Sequence, residues 1–80
     1  MVVLRQRISK AFEFEGKAWR LTITREFVLR ALVRRRISDS EFFDFIDRQH
    51  DTVALLAKRK IVKLALRGDE VILDRYDLPE

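Results

Sequence analysis

The residues of this chain with the clearest chemical potential surround its single histidine, His50, which Asp47 and Asp51 flank within one helical turn. An imidazole and two carboxylates can ligate a metal ion, but a protein metal site needs further ligands at a recognisable spacing. The chain has no cysteine, and no fourth ligand accompanies this group. We therefore interpret these residues as a solvated helix face and expect no metal.

Nucleophilic and phosphate chemistry have equally little support. A Ser-His-Asp arrangement would need a serine aimed at His50, and Ser38 and Ser40 are better used as helix caps. The two glycines, Gly16 and Gly68, lie too far apart in the sequence to form a phosphate-binding loop. A chain of 80 residues also has little material with which to roof a catalytic cleft. The sequence thus predicts a protein that is not an enzyme and holds no cofactor.

Basic side chains are the other group with a possible function. The chain has 17 basic and 13 acidic residues, a net charge of +4. The basic residues concentrate in residues 1–36 and 58–68, and the acidic ones in residues 37–57 and 69–80. The candidates for contact with an anion or a nucleic acid are Arg30, Arg34, Arg35, Arg36, Lys58, Arg59, Lys60, Lys63 and Arg67. Because acidic blocks of similar size follow each basic block, we favour internal charge balance over an anion-binding patch.

The elements that must position these side chains begin with a β-hairpin over residues 11–24, preceded by an N-terminal segment over residues 1–10. Two runs of alternating apolar and polar residues predict the hairpin, with a turn at Gly16 and Lys17. Its apolar face contains Phe12, Phe14, Trp19, Leu21 and Ile23. An isolated hairpin is marginally stable in water, so helices must cover this face.

Capping signals predict two helices after the hairpin. Thr24 is a suitable N-cap for a first helix over residues 25–36, whose last turn is basic. Ser38 and Glu41 have the spacing of a capping box at the start of a second helix. The apolar periodicity that follows predicts that this second helix is long and covers residues 38–62.

Residues 63–78 are predicted to form a C-terminal strand or hairpin that completes one small sheet. Residues 60–66 fit either the end of the helix or the start of a strand, and both alternatives remain open. A loop at Gly68 would place Arg67 opposite Glu70 if a hairpin forms. The expected fold is α+β, with one sheet packed against two helices in a single domain over residues 1–80.

The N-terminal residues do not have the pattern of a signal peptide. Arg5 and Arg7 interrupt the apolar start that such a peptide needs, and no apolar run reaches the length of a membrane-spanning helix. We therefore expect a cytoplasmic protein without membrane contact.

A resemblance rests on the order of these features. An alternating strand, a short helix ending in Leu, a long helix with an aromatic or aliphatic early face, and an Asp-Leu pair follow one another in residues 19–24, 27–32, 42–57 and 77–78. This order resembles that of domain-of-unknown-function family 1488, a family of small bacterial proteins. The resemblance covers about residues 11–78 and implies an α+β fold without an assigned activity, so no residue roles carry over. The chain departs from the family in its basic first helix and in the basic run over residues 58–60.

We expect a small non-enzymatic domain, bacterial or phage-type, that acts through surface contacts with a protein partner or with a second copy of itself. An exposed strand edge or surplus aromatic side chains would supply the interface. The alternative is a nucleic-acid-binding or transcription-regulator module whose Arg and Lys patches contact phosphates, because two helices followed by a hairpin resemble part of a winged helix. The acidic first half of the second helix argues against that alternative.

Overall fold

The computed structural model describes residues 4–78, which form a three-stranded sheet and three helices. In chain order the elements are β1 (Arg7–Phe14), β2 (Lys17–Thr24), α1 (Arg25–Leu32), α2 (Asp39–Arg48), α3 (His50–Leu64) and β3 (Glu70–Leu73). The predicted α+β class, with an N-terminal hairpin and a C-terminal strand in one sheet against the helices, is confirmed.

The β1–β2 hairpin is longer than predicted and turns one residue earlier. Glu15 and Gly16 form the turn, both with positive φ (53° and 76°), as a type I′ turn requires. Lys17 is therefore the first residue of β2. β1 begins at Arg7, inside the segment expected to precede the hairpin, because buried Ile8 extends the apolar face.

The hairpin face predicted from the alternation lies against the helices. Trp19, Leu21 and Ile23 are buried, and Phe12 and Phe14 are half-buried at its margin. The helices complete this core, whose fully buried members include Phe27, Val28, Phe42, Val53 and Ala57. Trp19 Nε1 is buried without a hydrogen-bond partner among residues 4–78.

The C-terminal element is a single strand, the first of the two alternatives. β3 pairs with β2 in parallel, so β2 is the middle strand of the sheet. Glu70 lies opposite Arg20, with 3.9 Å between their charged groups, and not opposite Arg67. Parallel strands need a long crossover, which the three helices supply. No hairpin follows α3 within residues 4–78, so the pattern that resembled part of a winged helix is absent there.

α1 ends at Leu32, before the predicted end at residue 36. Val33 adopts a left-handed conformation (φ 53°, ψ 48°), and its N–H donates to Arg30 O. The next N–H, of Arg34, donates to Leu29 O, which completes a Schellman motif. The helix therefore stops at Val33, although a glycine usually occupies this position.

The predicted long helix is two helices, α2 and α3, which meet at Gln49 (φ −106°, ψ 23°). The apolar stripe that faces the sheet is interrupted between Ile46 and Val53, where a straight helix would direct Gln49 or His50 inward. The break leaves both of these polar residues exposed while the two halves of the stripe stay buried. α3 then continues beyond residue 62 and ends before Ala65, which is also left-handed (φ 49°).

Candidate interaction surface

The structure divides the nine predicted basic residues between two regions. Arg30 lies on α1, and Arg34, Arg35 and Arg36 lie in the connection to α2. Lys58, Arg59, Lys60 and Lys63 lie on α3, and Arg67 lies in the connection to β3. No single site contains all nine.

Two of the nine have acidic partners in the structure. Arg34 Nη1 donates to Glu41 Oε2. Lys60 Nζ lies 2.9 Å from Asp77 Oδ2 and 2.6 Å from Ile72 O, in a partly buried position. The other seven form no ion pair within residues 4–78. Internal charge balance therefore explains Arg34 and Lys60 and leaves most of the basic surface unexplained.

The Arg34 pair belongs to the start of α2, where the predicted capping box is present. Ser38 N–H donates to Glu41 Oε1, and Glu41 N–H donates to Ser38 Oγ, each at 3.1 Å. The hydrogen bond from the Ser38 N–H and, second, the one from Arg34 hold the pKa of Glu41 below its ordinary value. The charged form of Glu41 is thus the one that the fold favours.

α3 and the end of β1 form a shallow apolar depression, which we call the α3 surface. Its lining residues are Phe14, Lys58, Arg59, Val62 and Lys63. Phe14 is half-buried, whereas Val62 is 66% exposed. The lining is almost entirely carbon, because the aliphatic stems of the basic side chains contribute to it. An apolar centre with cationic groups at its margin is complementary to an acidic segment that carries an apolar side chain.

A groove continues from the α3 surface toward the C-terminal segment. Arg59 and Lys63 also line this groove, together with Tyr76, whose side chain is 79% exposed. The preceding residue, Arg75, lines a second shallow groove together with Arg30 and the glutamate of α1. The C-terminal segment therefore lines both the groove at the basic end of α3 and a groove beside α1.

Arg25 has a structural role that could not be predicted from the sequence. It is the first residue of α1 and is only 5% exposed. Its Nε donates to Arg5 O at 2.6 Å, its Nη1 donates to Ile37 O at 2.7 Å, and its Nη2 pairs with Asp39 Oδ1. The guanidinium also lies 5.0 Å from the centre of the Phe42 ring. Arg25 is a structural brace, and nothing in its neighbourhood in the sequence distinguishes it from the exposed arginines.

The His50 group does not form a ligand set. His50 Nε2 lies 3.0 Å from Asp51 Oδ1, but His50 Nδ1 lies 3.2 Å from the main-chain oxygen of Asp47. Across residues 4–78, no cluster of three or more His, Cys, Asp or Glu side chains is placed to hold a metal ion. In the same part of the chain, no helix has the length and apolarity needed to cross a membrane.

Compared with known proteins, the chain matches no family model, no curated protein and no solved structure. The resemblance to domain-of-unknown-function family 1488 therefore stays a prediction.

Proposed function

We propose that this protein is a non-enzymatic protein-binding domain of the cytoplasm whose α3 surface binds an acidic segment of a protein partner. An apolar side chain of that segment occupies the space between Phe14 and Val62. Its carboxylates pair with Lys58, Arg59 and Lys63. The observation that carries the proposal is the carbon-lined depression bordered by three cations that have no acidic partner within residues 4–78.

The apolar floor of the depression favours a protein partner. Val62 lies on the exposed side of α3, whose buried side supplies Ala57 and Ile61 to the core. The fold therefore does not require an apolar side chain at position 62. Interfaces between proteins combine such an apolar centre with a charged margin. A phosphate backbone would satisfy the cations but has no apolar group for the depression.

The test is selection of a random peptide library, displayed on phage, against the wild-type protein. Peptides that also bind the Val62→Gln variant are removed during selection. We expect the enriched peptides to combine acidic residues with an apolar or aromatic residue, because both parts of the surface contribute. Enriched peptides without acidic residues, or no enrichment once the peptides that bind the Val62→Gln variant are removed, would overturn the proposal.

The charged part of the surface is tested with two matched variants. Lys63→Glu and Arg35→Glu each lower the net charge by the same amount, but only Lys63 lines the α3 surface. We expect Lys63→Glu to weaken a selected peptide about tenfold or more, and Arg35→Glu to change its affinity little. Equal effects would show that the peptide responds to net charge and not to this surface. Circular dichroism of each variant checks that the fold is intact.

A second candidate function, binding of a single-stranded nucleic acid, is favoured by Tyr76. Its exposed ring shares a groove with Arg59 and Lys63, and an exposed aromatic ring beside cations is a base-stacking arrangement. Fluorescence anisotropy with a labelled single-stranded oligonucleotide tests it. Micromolar binding at physiological salt that is lost in Tyr76→Ala would replace the protein-binding proposal. Weak binding that Tyr76→Ala leaves unchanged would eliminate this candidate.

A further inference from the structure

The two outer edges of the sheet differ in length and in whether a side chain binds their outward main-chain groups. At the β3 edge, the outward carbonyl of Ile72 accepts a hydrogen bond from Lys60 Nζ at 2.6 Å, and the same amine binds Asp77. The β1 edge is twice as long, with eight residues against four, and within residues 4–78 no other strand pairs with it. A long uncovered edge strand is a template for pairing with another chain.

The hydrogen bonds of the hairpin determine which main-chain groups of β1 are free. Arg25 N–H donates to Gln6 O at 2.8 Å, so the even-numbered residues of β1 direct their N–H and C=O groups toward β2. The odd-numbered residues direct theirs away from the sheet. These are Arg7, Ser9, Ala11 and Glu13.

The side chains of these four residues lie on the sheet face opposite the core and are exposed. They are small in the middle of the strand and carry opposite charges at its two ends. Within residues 4–78 neither Arg7 nor Glu13 forms an ion pair. The strand is thus charge-complementary to itself when it is reversed.

We propose that β1 pairs antiparallel with β1 of a second copy of this chain, which joins the two sheets across a two-fold axis. In this register Arg7 of each copy lies opposite Glu13 of the other, Ser9 lies opposite Ala11, and Lys10 lies on the axis. Four hydrogen-bonded residue pairs give about eight main-chain hydrogen bonds. We choose a second copy as the partner because the two-fold symmetry of such a dimer forms the Arg7–Glu13 pair twice.

The two copies of Lys10 meet at the axis, which is an unfavourable contact between like charges in this register. Lys10 is half-buried on the helix side of the sheet. There it lines a depression together with Asp44 and Asp47 of α2. Asp44 is paired with Arg48 at 3.1 Å, so Asp47 is the carboxylate available to offset the repulsion between the two amines.

A charge exchange tests the register, with the dimer dissociation constant measured by sedimentation equilibrium. Arg7→Glu and Glu13→Arg each place two like-charged pairs across the axis, and we expect either to weaken the dimer about tenfold or more. The double variant with both changes restores the opposite charges and should return the constant to within about threefold of wild type. Glu15→Arg, a charge change of the same size in the turn, is the matched control and should have little effect.

Main-chain pairing is tested separately with Ala11→Pro. Its N–H is directed outward and makes no bond to β2, so an edge strand tolerates proline there while the dimer loses its central hydrogen bonds. We expect a folded monomer of 9.6 kDa by light scattering and circular dichroism. A wild-type protein that is monomeric at the highest soluble concentration, or a dimer unaffected by Arg7→Glu, would overturn the proposal. Val62→Gln should leave the dimer intact, so this inference stands or falls separately from the function of the α3 surface.

Discussion

At the scale of single residues, Arg25 is the charged side chain that the fold buries within residues 4–78. Its guanidinium joins the segment before β1, the residue before the α2 cap and the first residue of α2, through Arg5, Ile37 and Asp39. Burial of a guanidinium is costly unless its donors are satisfied, and here the chain supplies an acceptor to three of its nitrogens. The brace therefore fixes where α2 starts relative to the sheet.

Replacing Arg25 should reveal this brace. We expect Arg25→Met to lower the free energy of unfolding by about 2–4 kcal/mol, because two main-chain carbonyls lose their donor. Asp39→Asn should cost less, about 1 kcal/mol, because the Asp39 side chain is 41% exposed and water can replace it. Urea denaturation measures both values. A loss below 1 kcal/mol for Arg25→Met would contradict the brace.

Glu41 makes stability depend on pH. Its pKa is lower in the folded state than its ordinary value of 4.5, mainly because the Ser38 N–H donates to it. A lowered folded-state pKa contributes stability above the unfolded value, and this contribution is lost as the pH falls through the folded value.

We therefore expect Glu41→Gln to reduce the loss of stability between about pH 6 and about pH 3. Urea midpoints at the two pH values measure the effect, with Asp47→Asn as a control for general loss of acidic charge. An unchanged acid dependence in Glu41→Gln would show that the capping carboxylate contributes nothing.

At the scale of elements, the starts of α1 and α2 could be predicted from the sequence, whereas the start of α3 and the helix ends could not. Thr24 and Ser38 both cap helices as predicted, because a hydroxyl that accepts an N–H is a local signal. The helix ends at Val33 and Ala65 use left-handed residues where glycine is usual, so the signal for a stop is missing.

Relief of the left-handed strain at Val33 should stabilise the protein. Val33 is 91% exposed, so its side chain contributes little packing, and its branched Cβ makes a φ of 53° costly. We expect Val33→Gly to raise the free energy of unfolding by about 1 kcal/mol, after the greater freedom of glycine in the unfolded chain is subtracted. Val62→Gly, in the interior of α3, is the contrasting control and should lower it. Urea denaturation distinguishes the two directions.

The C-terminal strand shows another limit of prediction. The apolar run at the end of α3 fits both the helical and the strand periodicity. Only the packing of Ile61 against the core selects the helix. The parallel pairing of β3 with β2 has no local signal at all, because the two strands are separated by three helices. The α3 surface shows the same limit, because Phe14 and Val62 are distant in the sequence. Its cations could be identified from the sequence, but its apolar floor could not.

At the scale of the whole molecule, charge is separated between neighbouring helices. The exposed face of α2 is acidic, and the C-terminal half of α3 is basic, so the modest net charge of +4 hides two surfaces of opposite sign. Such a molecule should bind nucleic acid only weakly, because the acidic surface opposes any phosphate backbone that spans both helices.

The salt dependence of binding to duplex DNA tests this expectation. We expect Arg30→Gln with Arg34→Gln to leave a weak background affinity unchanged and to cost about 0–1 kcal/mol of stability, since Arg34 is used by Glu41 in an exposed pair. Fluorescence anisotropy over a series of salt concentrations measures the affinity. Micromolar binding of the wild-type protein at physiological salt would contradict this expectation. So would a plot of log affinity against log salt concentration whose slope becomes shallower in the variant by about 0.9 per lost phosphate contact.

The parallel pairing of β2 with β3 also bears on how the chain reaches this structure. The hairpin joins neighbours in sequence and can form early, whereas β3 can join β2 only after the intervening helices have brought it back. Until β3 arrives, β2 also has a bare edge, so a chain in which only the hairpin has formed would expose two strand edges above an uncovered apolar face. Aggregation during refolding should therefore rise steeply with protein concentration, and rapid closure of the helical crossover is the step that protects the chain.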